Sequence, residues 1–451
     1  MMKLYSRSAA AIFFAAITTL SSSAQTSVNG HWVRAWSTAV HAPTTFPGAP
    51  SAPQFENQTI RMVIRPTIGG KLLRVCFSNE FGATPLVVGS VHVAVVKKNG
   101  AIVPGTDRVL KFSGVASVTI PPGSPMLTDP VELPIPALQE LAVSIFLPKA
   151  MTLTTLHSLG QHDSYLSGRG DFTAAAEIPN PAVTKSWYCL SGLEVWASAQ
   201  TASIVTIGDS ITDGFGTTDT YADWPNQLTL RLAKMKGLPD LAVNNQGIDG
   251  NRILHDGAGV SALARLDRDV ISLPGVTSLI ILEGINDIVW PQIKLKSTSD
   301  PTQSIENPFA GQVVTANDLI AGLQQVIQRA REHGIRVFGA TITPYEGTDS
   351  FTPDGEAIRQ AVNQWIRTGG GFDGVIDFDA AVRDPKHPTR LKEDLQSGDH
   401  LHPNSSGYRA MADAIDLPAL VAKSALVAKP ALVAKPALVA KPRSGQTLAV
   451  P

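Results

Sequence analysis

The stretch IVTIGDSITDGFG, residues 204–216, decides how the second half of the chain is read. Four β-branched residues, Ile204 to Ile207, favour an extended strand, and Gly208 ends the run. Ser210 follows two residues later, where a strand would give way to a helix. A serine there has two readings, a helix N-cap or a nucleophile at the carboxyl end of a strand. Which one holds depends on whether partners stand at the ends of other strands.

Working outward, strand-like and helix-like segments alternate from residue 201. SIVTIG precedes a helical stretch near Trp224 to Lys236, and LAVNNQG precedes one around Val260 to Ile271. SLIILEG, RVFGAT and GVIDF each lead into another, from about Asn317 to His333, Asp354 to Thr368 and Ser405 to Ile415. TPDGE, residues 352–356, places acids in the first turn of its helix. Apolar strands alternating with helices predict an α/β domain with a doubly wound, flavodoxin-like parallel sheet.

Upstream the rhythm differs. QTIRMVIRP, KLLRVCFSN, SVHVAVV, LAVSIFLP and GLEVWAS are short β-type runs separated by Gly, Pro, Asn and Asp. Many alternate apolar with polar residues, the period of strands with one buried face. An all-β, jelly-roll-like sandwich is expected over residues 25–200, ahead of the α/β domain at 201–417. Two domains also suit a chain of 451 residues.

The ends read differently again. Lys3 and Arg7, the apolar run Ala9 to Leu20 and the small residues SSSAQ resemble a signal peptide over residues 1–24. Twelve residues are too few to span a bilayer. The mature protein is therefore expected to be secreted or periplasmic, with no membrane span. Residues 418–451 repeat PALVAK-like units of six residues, and the recurrent prolines predict a low-complexity, unstructured tail. With 37 basic against 38 acidic residues, the net charge of −1 gives no electrostatic case for nucleic acid. Two cysteines, Cys76 and Cys189, sit in strand-like runs and could be paired or free.

In a doubly wound sheet, ligands bind beyond the carboxyl ends of the strands. Gly250 lies after the second strand, Asn286 after the third, and Asp399, His400 and His402 in the loop before the final helix. These types suit acyl transfer. His402 can accept the serine proton, and Asp399 can orient His402. The N–H groups of Ser210 and Gly250 with the Asn286 amide can hold an oxyanion, each donor being worth roughly 3 kcal/mol. Asp209, Asp213, Asp287 and Asp399 lack the pattern of a metal-binding loop, so neither metal nor cofactor is expected. His157 and His162 are isolated, Asp213 reads as a turn residue, and Asp209 reads as a buttress of its loop.

Gly208-Asp209-Ser210, Gly250, Gly284-Ile285-Asn286-Asp287 and Asp399-His400-Leu401-His402 resemble, in order and spacing, the four motif blocks of the SGNH (GDSL) hydrolase family. The resemblance covers about residues 201–417. It implies a nucleophile at Ser210, a triad with Asp399 and His402, and an oxyanion hole of Ser210, Gly250 and Asn286. It selects His402 over His400 as the base. GDSITDG, GIDGNRIL, LEGIND and GDHLHPN resemble a secreted bacterial subgroup of aryl- and carbohydrate esterases. The expected substrate is thus a small-molecule or polysaccharide ester with a short acyl group. A lipase or arylesterase is the alternative, and a carbohydrate-binding protein with an inactive α/β domain is a third reading.

Overall fold

The computed structural model describes residues 30–44, 51–237, 240–296 and 302–422. The expected leader and residues 423–451 of the repeat lie outside the described residues.

Antiparallel sheets build the first half. Gly30–Ser37, Leu190–Ser198, Gly70–Ser78 and Pro125–Leu127 follow one another in one sheet, with Val131–Ile135 also paired to Gly70–Ser78. A second sheet orders Ala182–Thr184, Ser164–Arg169, Gln58–Ile64, Leu141–Leu147, Ser90–Lys98 and Ala101–Ile102. Val33, Leu73 and Val75 from the first sheet pack against Ile60, Met62, Val91 and Val143 from the second. Burial of one face of each sheet makes a sandwich. Among the described residues no helix interrupts it. Cys76 and Cys189 are free and buried, and burial raises both thiols, Cys76 to about 12.

The second half is a parallel five-stranded sheet. Its order is Leu241–Gly247, Ala202–Gly208, Val276–Leu282, Arg336–Ala340, Gly374–Ile376, the 2-1-3-4-5 order of the doubly wound class. Helices cover both faces. Leu319, Leu323 and Val326 of Ala316–Glu332 pack with Val205, Leu279 and Val337. Leu228, Tyr408 and Met411 pack with Ile204, Ile280 and Phe338. Thr352 caps the helix Pro353–Arg367 through Gly355 N, and Asp354 and Glu356 lie in its first turn as expected.

Polar residues in the strand Leu241–Gly247 have a specific cause. It is the outer strand of its sheet, and the outer strand Gly30–Ser37 of the sandwich lies against it. Asn244 Nδ2 donates to Arg34 O at 2.8 Å, Gln246 Nε2 to Ser37 Oγ at 2.8 Å, and Val243 N to Thr67 Oγ1 at 3.0 Å. Each edge therefore covers the other, with side chains replacing part of a ladder.

The start of the repeat departs from the expectation of an unstructured segment. Leu417–Val421, which overlaps the first repeat unit, is a helix capped by Asp416, with Leu417 and Leu420 buried. Pro418 sits in its first turn, where a missing N–H costs nothing. The six-residue repeat thus conceals one packed turn.

Candidate active site

Strand register places the candidate residues together. Gly208 is level with Gly247 on one side and Leu282 on the other. Ser210, Gly250 and Asn286 therefore all lie just past the same edge of the sheet.

The turn after Gly208 is tight. A Cβ on Gly208 would collide with Thr212 Oγ1 and Leu282 O, which explains glycine there. Asp209 is the N-cap, accepting from Ile211 N at 2.9 Å, and Ser210 is the first residue of the one-turn helix Ser210–Asp213. Ser210 is thus not itself the cap. Its own N–H, in a first turn, has no intrahelical partner and is free to meet an anion.

Arg265 braces this edge from beneath. Its buried guanidinium donates to Gly208 O at 3.1 Å, Gln246 O at 2.6 Å and Asn251 Oδ1 at 3.0 Å. Asp269 pairs with its charge at 3.1 Å, and Glu283 lies 3.6 Å away. Burial first, then neighbouring carboxylates, pushes Asp209 up to about 7 and Glu283 well above the ordinary range.

Ser210 Oγ lies 2.8 Å from His402 Nε2, and His402 Nδ1 lies 2.6 Å from Asp399 Oδ2. Asp399 Oδ1 accepts the N–H groups of His402 at 2.9 Å and Leu401 at 3.0 Å. Burial alone would raise the Asp399 carboxyl, but these bonds outweigh it and hold the group well below the usual range. An ionised Asp399 accepts from Nδ1–H, leaving the Nε2 lone pair to accept the Ser210 hydroxyl. Ser210 and His402 are buried, whereas the Asp399 side chain is 41% exposed.

The remaining residues fall around that row. Gly250 has φ +77°, and a Cβ there would sit 2.8 Å from Trp290 Cζ2. Trp290 Nε1 donates to Asn286 Oδ1 at 3.2 Å, and Asn286 Nδ2 donates to Asn251 O at 3.0 Å. These two contacts fix which way the amide points and leave its other N–H for a ligand. Asp287 accepts from Ile253 N at 2.7 Å and Leu254 N at 3.1 Å, tying the Asn286 turn to the Gly250 loop. Burial raises Asp287 to about 6. His400 packs on Gly347 rather than on Ser210, a Cβ at Gly347 falling 2.6 Å from its ring.

Residues 206–410 match the model of the GDSL-like Lipase/Acylhydrolase family. This half is a GDSL-like acylhydrolase domain. The chain is accordingly a carboxylic ester hydrolase. No curated protein matches it. Among solved structures, the acylhydrolase domain is similar to a G-D-S-L family protein from Desulfitobacterium hafniense DCB-2, with 19% identity and TM-score 0.35. That likeness covers 47% of this chain and 97% of the other. An acetylxylan esterase from Geobacillus stearothermophilus has 23% identity and TM-score 0.34, over 47% and 91% of the two chains. A GDSL-like lipase from Bacteroides thetaiotaomicron has 16% identity and TM-score 0.33, over 48% and 87%.

Sequence reading passed over several residues beside the candidate site. Asp249 faces Ser210 and His402, and burial followed by Asp213 raises its carboxyl. Its position directly before Gly250 was the available signal. Phe215, 37% exposed, holds its ring 4.2 Å from that of His402, and Tyr408 Oη fixes its carbonyl at 2.8 Å. Asp213 is more than a turn residue, because it meets His157 from the sandwich at 3.0 Å. No local pattern connects residues 56 positions apart.

Proposed function

We propose that the protein is an exported serine ester hydrolase that removes short acyl groups, acetyl above all, from carbohydrate or similar esters. The row Asp399–His402–Ser210, with spacings of 2.6 and 2.8 Å, carries this reading. Ser210 Oγ attacks the ester carbonyl as its proton passes to His402 Nε2. The N–H groups of Ser210 and Gly250 and the Asn286 amide receive the oxyanion. Collapse breaks the ester C–O bond, and His402 returns the proton to the departing alcohol. Water then attacks the acyl-enzyme with His402 as base, releasing the acid and restoring the Ser210 hydroxyl. Asp399 keeps the tautomer and offsets the imidazolium charge while this happens.

Asp249 supports the polyhydroxyl substrate. A carboxylate facing the nucleophile accepts hydrogen bonds from hydroxyls adjacent to the ester, and a long alkyl chain would desolvate it. Phe215 favours a second reading, an aryl ester stacked beside His402. An inactive α/β domain fits poorly with a completed hydrogen-bonded row. Export rests on the leader-like residues 1–24.

Hydrolysis of nitrophenyl esters of increasing acyl length, and of acetylated xylan, tests the proposal with wild type and Ser210→Ala. Acetyl esters are expected to be cleaved fastest, and Ser210→Ala is expected to be inert. Near-full activity in that variant would reject the serine mechanism. A maximum at eight carbons or more would reject the carbohydrate reading.

A further inference from the structure

The sandwich sends one side chain to the back of the nucleophile turn. His157, 1% exposed, places Nε2 3.0 Å from Asp213 Oδ1 and Nδ1 2.9 Å from Ala39 O. Both partners are acceptors, so both ring nitrogens carry protons and the ring is an imidazolium. Trp187 stacks on it at 5.6 Å with an interplanar angle of 29°, a favourable face for a cation. Neighbouring His41 is the opposite case. Its Nδ1 donates to Ala42 O at 2.7 Å while Nε2 accepts from Ser158 N at 3.2 Å, and burial lowers it to about 4. Of this pair of rings, only His157 is charged.

Asp213 is the last residue of the turn that begins with Ser210. Its N–H donates to Asp209 O at 2.8 Å, and Gly214 N donates to Ser210 O at 2.9 Å. The backbone of Asp213 is pressed so closely on Gly247 that no side chain fits there. Asn245 Nδ2 adds a bond to Thr212 O at 2.7 Å. A pull on the Asp213 carboxylate is therefore felt along one helical turn by Ser210.

We propose that His157 is a positioning residue for the nucleophile: its imidazolium, delivered by the sandwich, holds Asp213 and thereby the turn presenting Ser210 to His402. The proposal rests on Ser210 being the nucleophile. It gives the sandwich a part in catalysis, because the acylhydrolase domain alone lacks this cation.

Charge makes the role pH-dependent. Burial opposes the imidazolium, but the Asp213 charge and the bonds to Asp213 and Ala39 O outweigh it and raise His157 above the ordinary imidazole value. The other charged or titratable groups facing it are His41, Asp249 and Arg265. A raised histidine contributes fully below its ordinary value and is lost as pH rises through the folded one. The clamp is thus engaged at low pH and weakens as pH rises through that raised value.

The test uses the full chain with His157→Gln, Asp213→Asn, their combination and Ser210→Ala, measuring kcat and KM across pH and thermal unfolding. Each single substitution is expected to lower kcat roughly 10- to 100-fold with little change in KM. The double variant is expected to be no worse than either single one. The alkaline decline of kcat in the wild type should vanish in His157→Gln. Should that variant fail to fold, Asp213→Asn carries the same readouts from the other partner. Variants that melt earlier yet keep wild-type kcat and the same alkaline decline would overturn the positioning role. Activity in Ser210→Ala would overturn the nucleophile instead, so the two failures are distinguishable.

Discussion

Two histidine–aspartate pairs bear on Ser210, and they differ in what the second ring nitrogen touches. In His402–Asp399 it meets a hydroxyl, which can donate, so the ring stays a base. In His157–Asp213 it meets a carbonyl, which cannot, so the ring is held as a cation. The first pair lies in a loop with Asp399 partly in solvent, while the second is sealed between two domains. In the proposed mechanism one composition serves as proton shuttle or as clamp, and the neighbouring atom makes the choice.

Substitutions can break this contrast, beginning with the largest effect. His402→Gln should lower kcat about 10⁶-fold, the scale for losing a base that acts in concert with its nucleophile. His157→Gln should cost only the modest factor given above, so equal losses at the two sites would erase the distinction. Asp399→Asn should lower kcat by about 10⁴-fold, since an amide donating to Nδ1 imposes the wrong tautomer. The steady-state rate over a neutral pH range measures both.

Two further substitutions probe the surroundings of the first pair. Asn286→Ala should lower kcat by roughly 10²- to 10³-fold with KM little changed, because the amide serves an oxyanion rather than the bound ester. An increase confined to KM would assign Asn286 to ground-state binding. Asp249→Asn should shift the ratio of kcat/KM between a sugar acetate and an aryl acetate by about tenfold, the worth of one polar contact. An unchanged ratio would remove Asp249 from substrate selection.

Much of the acylhydrolase half is legible in the sequence because its signals are local. Ile204 to Ile207 ending at Gly208 marks a strand, and the helix expected from Asn317 to His333 is found at Ala316–Glu332. Asp399 and His402 reach each other within one loop, so their spacing already encodes their contact. The second pair is different in kind. His157 and Asp213 belong to separate domains, and only the docking of two sheet edges brings them together. The polar residues Asn244 and Gln246 were a trace of that docking, since a strand buried on both faces and edges would be apolar throughout. Arg265 left no trace at all, because nothing in a helix sequence says which carbonyls its guanidinium will find.

Formation of a covalent acyl-enzyme at Ser210 is open to direct chemical labelling. Full-length protein is treated with a fluorophosphonate, which phosphonylates an activated serine, and the modified peptide is located by mass spectrometry. One adduct per chain is expected on Ser210, with activity lost in step, and none on the Ser210→Ala variant. Complete labelling at another residue, or full activity after Ser210 is labelled, would contradict it.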